Sequence, residues 1–240
     1  AIRSAIARLR RDGVRFAIVD AVEDGHLYAI GKAVANLPLV TGGSGVALGL
    51  PANFRTKHLL QAHAADALPR VDGLSAVISG SCSVATRRQV EEMCKTRPAF
   101  KLDVLALAKG ENHLREVLQW AQSKLAEGPL LIYTTDEPDA VSSVQEKLGR
   151  ERAGLLAESA LARVAAELVN MGVRRLVVAG GETSGAVVNA IGITGLRIGP
   201  QIDPGVPWTA SLDTPPIALA LKSGNFGGRD FFLKAFDRLP

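Results

Sequence analysis

Short apolar runs that each end in a loop of glycine, serine and threonine constrain this chain more than any other feature. Leu74–Ile78 runs into Ser79-Gly80-Ser81-Cys82-Ser83, and Leu176–Ala179 into Gly180-Gly181-Glu182-Thr183-Ser184-Gly185. Ile217–Leu221 runs into Lys222-Ser223-Gly224-Asn225-Phe226-Gly227-Gly228. Leu37–Val40 enters Thr41-Gly42-Gly43-Ser44-Gly45 in the same way, and Phe16–Val19 and Leu130–Tyr133 are further short apolar runs. Short runs without polar alternation fit strands buried on both faces.

Helical patterns lie between these runs. Val84–Lys95 reads as a helix that stops before Pro98, and Leu114, Val117, Leu118 and Ala121 recur at helical spacing. Arg152–Met171 is the clearest helix, with Leu155, Ser159, Ala162, Ala166 and Val169 on one stripe and Gly172 as its stop. Shorter helices are expected over Ala186–Ile191 and Asp230–Asp237. Helices between apolar strands predict an α/β fold: a parallel-rich sheet with helices on both faces and glycine-rich loops at the carboxyl ends of the strands. The polar stretch Phe54–Arg70 reads as a connection between domains.

Composition excludes several classes of function. At 240 residues, with 47% apolar and 22% charged residues, the chain can bury a core, which rules out a largely disordered protein. A net charge of +4 and an aromatic content of 5% argue against a nucleic-acid partner. No apolar run approaches the roughly 18 residues that span a bilayer, so no membrane partner is expected. Two cysteines, Cys82 and Cys94, make no disulfide framework and point to a reducing cytoplasm. Ala1–Arg11 reads as an amphipathic helix with Ile2, Ile6 and Leu9 on one face, rather than as a transit peptide. His58 and His63 lack the spacing of a zinc-protease motif, and no metal-ligand set is expected.

In open α/β sheets, ligands bind beyond the carboxyl ends of the strands. Glycine there lets backbone approach a ligand, and free N–H groups at a helix start favour an anion. Several such loops converging on one edge form a phosphate cradle that needs little formal charge. Each loop alone reads more readily as a tight turn without a ligand; it is the loops together that point to one. The familiar motifs are absent: no G-x-x-x-x-G-K-[ST] run occurs, and no serine sits in a G-x-S-x-G frame. Gly43-Ser44-Gly45-Val46-Ala47-Leu48-Gly49 has one residue too many for the dinucleotide fingerprint, which disfavours an NAD-linked dehydrogenase. Glu182 suits Mg²⁺, a ribose hydroxyl or simply the helix dipole. Lys222 either neutralises a phosphate or ends its strand in solvent. Cys82 reads as a small residue at a helix start, and Cys94 as apolar filler.

Five blocks of sequence resemble the four-carbon acid sugar kinases: Ala179–Val187, Leu221–Gly227, Ile78–Ser83 with Thr86 and Gln89, Pro204–Pro207, and Thr41–Gly45. They fall in the family's order. The resemblance implies a two-domain kinase that uses ATP and Mg²⁺ to phosphorylate a hydroxyl of an acid such as 3-oxo-tetronate, threonate or erythronate. It implies nucleotide contacts at Ser79, Gly80, Ser81, Gly180, Gly181, Glu182, Thr183, Ser184, Ser223, Gly224 and Asn225. Gly43, Ser44 and Gly45 become substrate-side candidates. The family's Asp-Asp-x-Thr-Gly-Ala motif is absent, so residues 1–50 are expected to be a remnant of the sugar-acid domain, 51–70 a connection and 71–240 the nucleotide domain. The expected partners are ATP or ADP, a four-carbon sugar acid bound through a missing N-terminal domain, and a second copy in a homo-oligomer. The catalytic base is not assigned, and little turnover is expected of these residues alone. The alternative is a non-catalytic nucleotide-binding subunit completed by a partner chain.

Overall fold

The computed structural model describes residues 1–61 and 67–239, so His63 and part of the expected connection lie outside the described residues. The chain divides into two compact units, residues 1–64 and 65–240.

The first unit contains helices α1 (Ile2–Arg11), α2 (Asp24–Ala33) and α3 (Pro51–Thr56), with a 3-10 turn over Ser44–Gly49. The amphipathic α1 is formed as expected. The strands expected over Phe16–Val19 and Leu37–Val40 are not: no residue of 1–61 is in a strand. Phe16 is 90% exposed and Ile18 95%. An apolar run becomes a strand only where a neighbour pairs its backbone, and none does so here. Residues 51–56, expected to be connection, form α3, which is tied down by the Asn53 amide donating to the Gly31 carbonyl (2.9 Å). Gly31 and Gly49 touch so closely that a Cβ on Gly31 would lie 2.2 Å from the Gly49 carbonyl oxygen.

The second unit holds β1 (Leu74–Ser79), α4 (Val84–Cys94), β2 (Ala99–Lys101), α5 (Val104–Leu107), α6 (Asn112–Lys124) and β3 (Leu130–Tyr133). Then come α7 (Pro138–Leu148), α8 (Arg150–Asn170), β4 (Val173–Ala179), α9 (Gly181–Ala190), β5 (Leu196–Asp203), β6 (Val206–Ser211), β7 (Ala218–Lys222) and α10 (Phe231–Asp237). One seven-stranded sheet runs in the order β2-β3-β1-β4-β7-β6-β5. The first five strands are mutually parallel, and β6 and β5 join as antiparallel partners.

Alternation along the strands feeds two cores. Ala76, Ile78, Leu176 and Val178 pack with Leu161, Val164, Ala165 and Leu168 of α8 on one face. Val77, Val177 and Ala179 pack with Met93 of α4 and Phe231 and Phe232 of α10 on the other. Helices therefore cover both faces, which is why the central strands read as unbroken apolar runs. The stripe expected on α8 is displaced. Leu155 is 57% exposed, and the buried side is built on Ala160, Leu161, Val164, Ala165 and Leu168. Alanines around the whole circumference of this helix blur its periodicity. Among the described residues, no helix is long and apolar enough to cross a membrane.

Candidate nucleotide site

Hydrogen-bond register brings the strand ends level. Lys101, Tyr133, Ser79, Ala179 and Lys222 form one cross-strand row over β2, β3, β1, β4 and β7. The loops that leave this row are laced to their neighbours. Thr134 N–H donates to Ser79 (2.9 Å), Gly80 N–H to Ala179 (2.9 Å) and Gly180 N–H to Lys222 (2.8 Å), each at the backbone carbonyl. The chain leaves β1 toward β2 and β3 on one side, and leaves β4 toward the other. The crevice between β1 and β4 is thus the topological switch point, where such sheets bind ligands.

A cavity of about 660 Å³ opens there. Gly80, Ser81 and Cys82 from the β1 loop and Gly180 to Thr183 from the β4 loop line one part of it. Gly180 takes φ +131°, a conformation suited to glycine, and turns the chain into α9. The residues expected to form a loop up to Gly185 are helical from Gly181 onward. The first N–H groups of α9 have no partner within the helix, and the residues that carry them, Gly181 to Thr183, line the cavity at the positive end of the helix dipole. Packing makes Gly80 and Gly180 obligatory. A Cβ would lie 2.3 Å and 2.7 Å, respectively, from Thr183 Oγ1. Gly181 differs, since a Cβ there meets nothing within 4 Å.

The third loop is held by side chains of α4. Ser83, the N-cap of α4, and Thr86 both donate to the Gly224 carbonyl, at 2.6 Å and 2.8 Å. Lys222 is fully buried, and its ammonium contacts Thr86 Oγ1 (3.0 Å) and the carbonyls of Ser223 (3.2 Å) and Gly224 (2.9 Å). Burial pushes the lysine down to about 8. Its strand therefore does not end in solvent. The buried Gln89 amide faces the carbonyls of Phe226, Gly227 and Gly228 at 2.9–3.0 Å. The β5–β6 turn, Pro204-Gly205, packs on Phe226, and Asp203 accepts from Gly228 N–H (2.9 Å).

The predicted site residues thus fall into three groups. Gly80, Ser81, Gly180, Gly181, Glu182 and Thr183 line the cavity. Ser79 is buried in β1 with its hydroxyl 2.7 Å from that of Thr135, and Ser184 lies in the first turns of α9 with a buried hydroxyl that has no hydrogen-bond partner among the described residues. Ser223, Gly224 and Asn225 form the tethered third loop, where Gly224 abuts Ser81. In the first unit, Gly43 and Gly45 line a separate cavity of about 460 Å³, beside Ser44 at the start of the 3-10 turn. Sequence reasoning missed the far part of the large cavity: Lys101, Asp103, Asp136, Gln145 and Gly154. Lys101 and Asp136 pair at 2.7 Å. The strand-end position of the Thr134–Pro138 loop was the available signal. Among the described residues, no group of three or more His, Cys, Asp or Glu could hold a metal ion.

Residues 76–232 match the family described as nucleotide-binding C-terminal domain, and residues 1–50 match that described as sugar-binding N-terminal domain. The 3-oxo-tetronate kinase of Burkholderia multivorans is 56% identical over 99% of this chain and 56% of its own length. That of Pseudomonas fluorescens is 54% identical over 100% of this chain and 55% of its own. The chain thus spans about half the length of the curated relatives it matches. A solved structure from Salmonella typhimurium LT2 superposes with a TM-score of 0.81 at 38% identity, covering 99% of this chain and 56% of that one. A Haemophilus influenzae structure gives 0.75 at 40%, covering 99% and 57%. With both domain matches in this order and relatives of this similarity along its whole length, the chain belongs to the four-carbon acid sugar kinase family.

Proposed function

We propose that this chain is the ATP-binding portion of a kinase that transfers the γ-phosphoryl group of MgATP to a hydroxyl of a tetronate-type sugar acid. One observation carries the reading: loops from β1 and β4 leave the sheet level with each other and frame one cavity at the switch point, with the β7 loop braced against Ser81. The backbone N–H of Cys82, the Ser81 hydroxyl and the backbone N–H groups of Gly181 to Thr183 bind the phosphates, while the N–H groups of Gly80 and Ser81 hold the β1 loop to the Ala179 carbonyl, and the Lys222 ammonium adds positive charge beneath the third loop. Phosphoryl transfer depends mainly on such positioning and charge stabilisation.

Mg²⁺ usually binds through one or two carboxylates together with substrate phosphates. Glu182, exposed in the cavity at the start of α9, fits that role. The ion would neutralise charge on the transferring group. Residues 1–50, with Gly43, Ser44 and Gly45, belong to the sugar-acid side, and 71–240 to the nucleotide side.

Calorimetric titration of the chain with MgATP, with ATP plus a chelator, and with NAD tests the proposal. It predicts binding of ATP that Mg²⁺ strengthens, and none of NAD. Equal binding of NAD, or none of ATP, would refute it.

A further inference from the structure

We infer that the part of the cavity between α7 and α8 is a purine slot, and that Gly154 leaves it open. This rests on the reading that the glycine loops hold the phosphates of a nucleotide, and adds where the base lies.

The geometry of α8 sets the direction. Leu161 sits under the β1 loop, with its Cδ1 3.0 Å from where a Gly80 Cβ would be. Ala157 and Gly154 follow at helical spacing toward the start of the helix, and both line the cavity. At 1.5 Å per residue, Gly154 lies about 10 Å along the axis from Leu161. A nucleotide with its phosphates at the loops thus extends its base along this face. There the wall changes character: Val141 and Val144 of α7 face the cavity with Ala153 and Ala157 of α8, and the Gln145 amide stands among them. An apolar slot with one donor–acceptor amide suits a flat heteroaromatic base with a polar edge. Among the described residues, the Gln145 side chain has no hydrogen-bond partner, so it is free to meet one.

Gly154 has no structural reason to be glycine. It lies inside a 21-residue helix with no positive φ, a place where glycine is disfavoured relative to any residue but proline. A Cβ there would meet nothing within 4 Å, whereas at Gly80 or Gly180 it would strike Thr183. The space beside Gly154 belongs to the cavity, and a side chain would fill it.

The test compares the chain with its Gly154→Leu and Gly154→Ala variants, titrated with MgATP and with magnesium tripolyphosphate, which has phosphates but no base. Thermal unfolding is followed in parallel. The expected result is at least tenfold weaker MgATP binding for Gly154→Leu and a smaller loss for Gly154→Ala. Tripolyphosphate affinity stays within twofold, and neither variant melts below the parent. Parental MgATP affinity in both variants would overturn the slot while leaving the phosphate loops standing. Equal loss of both ligands would overturn it too, because the substitution would then act on the phosphates or the fold. If the unaltered chain binds neither ligand, the nucleotide reading itself fails and the slot falls with it.

Discussion

The Lys222 ammonium lies 2.9 Å from the Gly224 carbonyl oxygen, fully buried, with no carboxylate in salt-bridge distance among the described residues. A buried charge without a counter-ion is costly, and here three oxygen acceptors offset only part of the lost hydration. The arrangement makes sense where an anion completes it, and the loop it holds adjoins the glycine cradle. Replacing Lys222 with Met keeps an apolar stem of similar length and removes the charge. Lys222→Met is expected to weaken MgATP binding at least tenfold, about 1.4 kcal/mol, by calorimetry. Unchanged affinity would show that the lysine only packs.

The same residue sets a pH dependence. Its folded value, about 8, lies below the ordinary lysine value because burial disfavours the charged form. Between the two values the unfolded chain holds a proton that the folded chain has released. Stability from this group therefore rises with pH across that window, and its penalty is complete below pH 8. Nucleotide affinity runs the other way, because phosphate is attracted to the ammonium and not to the amine. Affinity should fall as pH rises through 8, and Lys222→Met should remove that fall. Denaturant melts and titrations on both sides of pH 8 give the two slopes.

Adjacent glycines should separate structure from binding. Gly180→Ala forces φ +131° on an alanine and drives its Cβ into Thr183. It should cost roughly 1–3 kcal/mol of stability in urea unfolding.

Cys82 lines the cavity, whereas Cys94 is exposed outside it. MgATP should slow alkylation of Cys82 at least fivefold and leave Cys94 unaffected, as read by peptide mass spectrometry. Equal rates at Cys82 with and without nucleotide would place the ligand elsewhere.

Legibility of the sequence followed burial. Leu130–Tyr133 was read to its bounds because β3 is buried on both faces, and β1, β4 and β7 were found for the same reason. β2 was missed because three residues, Ala99-Phe100-Lys101, carry no period. β5 and β6 were missed because Gly199, Pro200 and Pro207 interrupt their patterns; Gly199 and Pro200 lie in the edge strand β5, and Pro207 sits at a register irregularity of the β5–β6 pair, outside the residues of β6 that pair with β7. Phe16–Val19 failed in the opposite sense, apolar enough for a strand but unpaired. At the site, glycine loops were legible because their composition is unusual. Gly154 was not, because a single glycine in an alanine-rich helix has no local signature. The burial of Lys222 depends on α4 lying over the third loop, which no local pattern in the chain reveals.

The central claim is that the glycine loops at the switch point hold the phosphates of ATP. Gly181 tests it most directly, since a Cβ there would meet nothing within 4 Å among the described residues and no positive φ is disturbed. Calorimetry of Gly181→Leu with MgATP should show affinity reduced at least tenfold in a protein that melts like the parent. A variant that folds and binds MgATP with the parent's affinity would contradict the account.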